Sequence, residues 1–282
     1  MAIRKLRESA LLIRALGTTL YGSLYIWLIF KGGLFLLGGV IFLIILSAFE
    51  FYRMISHAGN RPYWIIGILT AMLFPLDSYF NGRIFSGYFT IMVVVSIIWI
   101  GLRSIIISDA RNEPTSNLFL NWSYTFAGSI YAGALLSHSL LIRALPGGGN
   151  LLLLVILGSA MCDSAAYVIG TYLGKHKFVP RLSPKKTWEG AIGGLIVCIA
   201  TVPLTVNLMH IEIDFLHSLL LGFIIGISVI MGDLFESMLK RSSGVKDSGS
   251  WIPKQGGVLD VIDGVMLSVT TSYYFFLLLL DI

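Results

Sequence analysis

Residues 215–264 read FLHSLLLGFIIGISVIMGDLFESMLKRSSGVKDSGSWIPKQGGVLDVIDG. The first part, 215–234, is an apolar run of the length an α-helix needs to cross a bilayer, about 20 residues. A second apolar run opens at 259. Between and beside them Asp233, Glu236, Asp247, Asp260 and Asp263 stand among Lys240, Arg241, Lys246 and Lys254. An acid at the end of a membrane span is costly, roughly 2.5–3.5 kcal/mol at the bilayer centre and less near the interface. Several together point to a site. Asp233, Glu236, Ser237 and Lys240 fall at i, i+3, i+4 and i+7, so a helix puts them on one face. Asp260 and Asp263 are three apart at the start of the last span. The loop glycines Gly244, Gly249, Gly256 and Gly257 let the two helix ends fold together. Converging carboxylates would offer hard oxygen ligands to Mg²⁺, and the lysines with Arg241 would hold phosphates. On charge alone, a solvated loop with acids capping helix dipoles stays open beside that reading.

Working outward, eight more stretches have the same apolar character: roughly 11–30, 33–49, 63–80, 85–102, 118–141, 151–172, 188–208 and 259–280. The expectation is therefore an all-α, polytopic integral membrane protein with about nine transmembrane helices. Composition agrees. Of 282 residues, 56% are hydrophobic and only 12% charged, with a mean hydropathy of +0.84. That charged share is about half the norm for a soluble domain, and the excess apolar surface must face lipid. The start, MAIRKLRES, leads into an apolar run without a convincing cleavage site, and more spans follow, so the first span reads as retained.

Net charge is +5 with a pI near 9.2. No aromatic-basic array supports nucleic-acid binding, and the basic balance reads as topogenic. If the N-terminus is cytoplasmic and nine spans alternate, 17 of the 20 Lys and Arg fall in or beside inside segments, leaving Lys31, Arg83 and Arg143 outside. This matches the excess of basic residues in cytoplasmic loops. It puts the 233–263 constellation near the cytoplasmic face. The chain divides by chemistry into 1–150, apolar spans with sparse charge, and 151–282, where charged residues gather.

A second stretch, CDSAAYVIGTYLGKHKFVPRLSPKKTWEG at 162–190, carries Asp163 near the middle of a span. An ionisable group there is a functional hypothesis by default. Tyr167, one turn on, could hydrogen-bond to it; pairing with a structural partner on another helix is the alternative. A basic loop follows, with Lys175, Lys177, Arg181, Lys185 and Lys186, then Thr187 and Glu189. Ser183-Pro184 suits a helix start, and a helix N-terminus beside paired lysines suits an anion. A purely topogenic loop would look the same in charge. Cys162 and Cys198 read as small core residues, without zinc spacing or a disulfide framework. His57, His138, His210 and His217 read as interfacial or packing residues, and His176, in the basic loop, stays open. Asn121-Trp122-Ser123 fits a glycosylation pattern but falls in a predicted span. No phosphate-binding P-loop, nucleophile elbow, HExxH zinc motif or dinucleotide fingerprint is present.

The run Ser237, Leu239-Lys240-Arg241, Lys246-Asp247, Gly249, Ile252-Pro253, Gly256-Gly257, Asp260 and Asp263 resembles the signature of the phosphatidate cytidylyltransferase (CDP-diacylglycerol synthase) family. Asp163, Ser183-Pro184-Lys185-Lys186-Thr187 and Glu189-Gly190 resemble it too, so the likeness is strong over about 160–264. Residues 1–150 are similar only in style. Two positions depart: Gln255 stands where the family usually has His before the Gly-Gly pair, and Val261 where it usually has Arg.

The resemblance implies CTP and phosphatidic acid as substrates, CDP-diacylglycerol and pyrophosphate as products, and Mg²⁺ or Mn²⁺ as cofactor with room for a second cation. It implies a multi-pass protein of the inner (cytoplasmic) membrane, in contact with membrane lipid and forming a homodimer. By the same token Asp233, Glu236, Asp260 and Asp263 are the expected metal ligands, Asp233 and Asp260 leading. Asp247, Lys240, Arg241 and Lys246 join Asp233, Asp260 and Asp263 as expected catalytic groups. Asp163, Ser183, Lys185, Lys186, Thr187, Glu189, Ser237, Gly256 and Gly257 are the expected substrate-binding residues. Three other readings remain: a related enzyme with another lipid phosphate acceptor, an inactive homologue that kept the fold, and an ion-coupled transporter using Asp163. The absence of an inverted repeat weighs against the last.

Overall fold

The computed structural model describes residues 22–84, 91, 94–99, 102, 115–252 and 255–280. A short apolar helix, α1 (Gly22–Lys31), precedes α2 (Gly33–His57) and α3 (Trp64–Asn81). Then come α4 (Thr115–Ser129), a π-helical turn (Ile130–Ala134) and α5 (Leu135–Ala144), together one long rod. Next are α6 (Gly148–Tyr172), a hairpin of β1 (Lys177–Val179) and β2 (Ser183–Thr187), α7 (Trp188–Leu208), α8 (Phe215–Ser242) and α9 (Leu259–Leu279).

Among the described residues, six helices are long and apolar enough to cross a membrane: 33–57, 117–144, 148–172, 188–208, 215–242 and 259–279. Their outward side chains, such as Phe35 and Phe42 on α2 and Ile196 and Leu208 on α7, are exposed as lipid-facing residues would be. Each of the six answers to an expected span. The expected span at 63–80 is a helix, α3, but an 18-residue one interrupted by Pro75 and carrying the buried Asp77. The expected spans at 11–30 and 85–102 lie mostly outside the described residues.

Two helices outrun their expected ends. The run at 33–49 stops, by hydropathy, at Glu50; the helix continues to His57 because Glu50 is buried and hydrogen-bonded. The run at 215–234 continues to Ser242. At about 1.5 Å per residue, those 28 residues reach about 42 Å, beyond a hydrocarbon core of about 30 Å. Counted from Phe215, Asp233 therefore falls close to the edge of the apolar slab, and Glu236 and Lys240 fall beyond it. Met231, Phe235 and Met238 on the opposite face are exposed, while Glu236 and Ser237 are buried, as the i, i+3, i+4 spacing predicts.

Helices α6–α9 meet through small residues, which let backbones approach closely. A Cβ on Gly232 of α8 would lie 2.6 Å from the Asp263 carbonyl oxygen of α9. One on Gly190 of α7 would lie 3.0 Å from Gly170 Cα of α6. Hydroxyl pairs tie the same helices: Ser159 with Ser268 at 2.7 Å and Ser228 with Thr271 at 2.8 Å. One continuous core runs from Ile29 through Val155 and Ile225 to Phe276. Cys162 and Cys198 are free and fully buried in it, as expected. His138 is packed between Tyr273 and Tyr274. Asn121 sits inside α4 and accepts from the Arg61 N–H at 2.8 Å, so the glycosylation pattern belongs to a helix.

The helix start expected at Ser183-Pro184 lies elsewhere. Ser183–Thr187 is a strand, and α7 begins at Trp188 with Thr187 as its cap, the Thr187 hydroxyl accepting from Gly190 N–H at 3.2 Å. Pro184 is tolerated because a two-stranded hairpin is all edge, where a missing N–H breaks little.

Candidate active site

Close crossing at Gly232 and Gly264 sets Asp233 of α8 beside Asp263 of α9. Glu236, one turn along α8, completes a group: one oxygen each from Asp233, Glu236 and Asp263 lie within 4.8 Å of one another. Glu236 is wholly buried and Asp263 is 7% exposed. Two lysines reach in. Lys186 Nζ, from the hairpin, lies 2.5 Å from Asp233 Oδ2. Lys240 pairs with Glu236 and, at 2.6 Å, with Asp260 Oδ1.

Asp260, expected as a leading ligand, stands outside the group of three. Its Oδ1 is held by Lys240, and its Oδ2 accepts from Ser248 N–H (2.9 Å), Ser248 Oγ (2.9 Å) and Gly257 N–H (2.7 Å). It lines the cavity while tying the 248–257 loop to the start of α9.

Asp233, Asp260 and Asp263, but not the buried Glu236, face a cavity of about 620 Å³ between α6, α7, α8, α9 and the hairpin, within the range of ligand sites in general. Its polar wall holds Asp163, Asp233, Asp260, Asp263, Lys177, Lys185, Lys186 and Thr187; its apolar wall holds Ala166, Ala191, Ile230 and Val261. Asp163 reaches it from α6 and, among the described residues, makes no hydrogen bond to Tyr167, which is 60% exposed.

The hairpin that carries the lysines is pinned at several points. Trp188 N–H donates to the His176 carbonyl at 2.9 Å, and Phe178 packs edge-on against Trp188 with ring centres 4.4 Å apart. Glu189 accepts from the His176 N–H at 3.2 Å and contacts its Nδ1 at 2.6 Å. Arg241 Nε donates to the Leu182 carbonyl at 3.0 Å. His176 and Arg241 thus position the lysine-bearing strand.

The remaining expected residues lie apart from the cavity. Lys246 and Asp247 are exposed on the loop, and Asp247 lines a smaller cavity of about 200 Å³ with Arg53 and His57. Ser183, Ser237, Gly256 and Gly257 do not line the larger cavity. Gly256 has φ +109°, open only to glycine at low cost, and a Cβ on Gly257 would fall on the Ser248 hydroxyl.

Three residues beyond the expected set belong to this region. Lys177 lines the cavity. Tyr131, on the π-helical turn, lies against Phe235 with ring centres 5.1 Å apart, and its buried hydroxyl has no hydrogen-bond partner among the described residues. Glu50 of α2 accepts from Ser248 Oγ (3.0 Å), Val258 N–H (2.9 Å) and Leu259 N–H (2.8 Å). A lone acid closing an apolar run was the available signal for Glu50.

Acids and lysines converging in one cavity at the ends of bundled apolar helices define a multi-pass membrane protein built to hold strongly charged groups beside the bilayer. More particularly, the chain belongs to the cytidylyltransferase family, whose model matches residues 12–279. It is 36% identical over 217 residues to a phosphatidate cytidylyltransferase of Haemophilus influenzae, covering 71% of this chain and 73% of that protein. It is 30% identical over 275 residues to a phosphatidate cytidylyltransferase of Brucella suis, covering 95% and 93%. It is also 38% identical over 168 residues to the uncharacterized protein YnbB of Escherichia coli, covering 58% of this chain and little more than half (54%) of that one.

Proposed function

We propose that this protein transfers a cytidylyl group from CTP to phosphatidic acid, forming CDP-diacylglycerol and pyrophosphate. The observation that carries the reading is a 620 Å³ cavity with Asp163, Asp233, Asp260 and Asp263 in its wall beside Lys177, Lys185 and Lys186, and with apolar side chains completing it. A nucleoside triphosphate and a lipid phosphate are both anionic, and both need cations to approach one another. The apolar wall suits the lipid end of one of them.

The chemistry is in-line displacement. A phosphatidate oxygen attacks the α-phosphorus of CTP, the bond from that phosphorus to the bridging oxygen breaks, and pyrophosphate leaves with the electron pair. The nucleophile is already ionised, so no strong general base is needed. Positioning and charge neutralisation carry the rate. Lys177 and Lys185 hold the triphosphate, and Lys186, released from Asp233, bridges to the transferred phosphoryl group.

Asp233, Glu236 and Asp263 fit a Mg²⁺ or Mn²⁺ ion. Their donors are all carboxylate oxygens, the ligands such hard cations take. Charge supports the same reading. Asp233, Glu236 and Asp260 are paired with Lys186 or Lys240, whereas Asp163 and Asp263 have no lysine partner among the described residues. Buried charge that is not paired is disfavoured, and a divalent cation held by Asp233, Glu236 and Asp263 would offset it, with scope for a second. When bound, the cation supplies charge neutralisation at the phosphates. Residues 151–282 carry these parts, and 1–150 support them.

We place the protein in the inner membrane, with nine spans, the N-terminus cytoplasmic and the cavity open to the cytoplasm where CTP is found. The support is the distribution of 17 basic residues against 3. The test is to incubate the purified chain with labelled CTP, Mg²⁺ and, in parallel, phosphatidic acid, an ether-lipid phosphate or a polyprenyl phosphate. The expected product is CDP-diacylglycerol from phosphatidic acid. A lipid nucleotide from one of the other acceptors alone would redirect the assignment, and no product from any would overturn it.

A further inference from the structure

The most deeply buried acid outside the expected set is Glu50, on α2, nearly two hundred residues before the loop that it grips. It is 0% exposed. Its two oxygens take three hydrogen bonds: Oε1 from Val258 N–H at 2.9 Å, Oε2 from Leu259 N–H at 2.8 Å and from Ser248 Oγ at 3.0 Å. Helix α9 begins at Leu259 and has no side-chain cap of its own. The first N–H groups of a helix lack intrahelical partners, and an anion there is favoured by the helix dipole. Glu50 supplies both from another helix. Asp260 stands in the first turn of α9, and Asp263 one turn in.

The grip continues to Asp260. The Ser248 hydroxyl lies 3.0 Å from Glu50 Oε2 and 2.9 Å from Asp260 Oδ2, so the two carboxylates share one donor. The loop is shaped around this acid. A Cβ on Gly249 would fall on Glu50 Oε1, with Glu50 Cδ at 2.8 Å and Cγ at 3.2 Å and no other residue among its three nearest contacts. A Cβ on Gly257 would likewise meet both Glu50 oxygens and the Ser248 hydroxyl. Glycine at 249 is required by the Glu50 carboxylate and not by its own backbone, which is absent from the positive-φ glycines.

We propose that Glu50 is a positioning residue of the active site: as a remote cap it locks residues 248–249 and 257–259 at the start of α9, and so aims Asp260 and Asp263. The N-terminal half thereby contributes directly to the site. This rests on the reading of α9's acids as catalytic, but the lock itself can be measured without turnover.

Two experiments on the full-length protein test it. The first is hydrogen–deuterium exchange in detergent, which needs no activity. Glu50→Gln keeps the shape but turns an NH₂ toward an N–H donor; amides of 248–259 should exchange at least about tenfold faster, with the middle of α8 unchanged. Unchanged exchange at 248–259, or a rise throughout the protein, would overturn the proposal. The second is a cycle on kcat/KM. Gly249→Ala and Glu50→Ala should each lower it at least tenfold. The double variant should match Glu50→Ala alone, because removing the carboxylate makes room for the methyl group. Losses that simply multiply would show that Gly249 and Glu50 act separately. If wild type makes no CDP-diacylglycerol, the functional assignment fails while the exchange result still decides the lock.

Discussion

At the scale of single residues, the geometry separates acids free to meet a ligand from an acid tied into the loop. Asp233 has one ion-pair partner and faces the cavity; Asp260 is held by Lys240, Ser248 and Gly257. Asp233→Asn is expected to lower kcat by roughly 10²–10³-fold with a melting temperature near wild type. Asp260→Asn is expected to lower both, because an amide cannot accept from all those donors. Thermal melts beside turnover assays check the pair; equal melts for the two variants would contradict the division of roles. Val261, 39% exposed in the cavity wall, gives a third test. Val261→Arg adds a cation facing the phosphates and should keep or raise kcat/KM for CTP; a complete loss would show that this wall has another shape in the working protein. Most of these residues were legible because acids and lysines are rare in an apolar chain. Glu50 was not, since hydropathy reads a charge as the end of a span and cannot see three donors waiting for it. Nor was the standing of Asp260, because i, i+3 spacing puts Asp260 and Asp263 on one face without saying which donors reach each.

At the scale of elements, helix existence followed from apolar length, as did the ends of α7 and α9, but the C-terminal ends of α2 and α8 did not. Helix α8 runs on past Asp233 because its polar face is paired inside the bundle, a tertiary fact. The β1–β2 hairpin was hidden for a similar reason: its residues are basic and contain Pro184, and the contacts that hold it come from His176, Glu189 and Arg241. The α8–α9 crossing has a direct test. Alanine in place of Gly232 would gain up to about 1 kcal/mol of helix propensity. Its methyl would sit 2.6 Å from the Asp263 carbonyl, and overpacking of that kind costs about 1–3 kcal/mol. The clash should win, because a backbone oxygen moves only if the helices part. Gly232→Ala is therefore expected to melt lower and to lose activity; a stabilised, active variant would show that the crossing has slack.

At the scale of the molecule, lipid-facing side chains, a shared core and the large charged cavity make a single machine in which the bilayer presents one substrate and water the other. Orientation is its most exposed consequence. Single cysteines placed at 175 or 246 should react with a membrane-impermeant thiol reagent only when the cytoplasmic face is accessible, while Cys162 and Cys198, fully buried, should stay silent. Labelling from the opposite face would invert the topology. The central claim, that carboxylates from α8 and α9 hold a cation against two anionic substrates, is tested most directly by one titration. CDP-diacylglycerol formation by purified wild type and Asp263→Asn is followed as Mg²⁺ is added after EDTA treatment. The account predicts no product in EDTA, full recovery of wild type with Mg²⁺, and a variant that stays at least about 10²-fold slower at every concentration. Full wild-type rate in EDTA, or a variant that matches wild type, would contradict it.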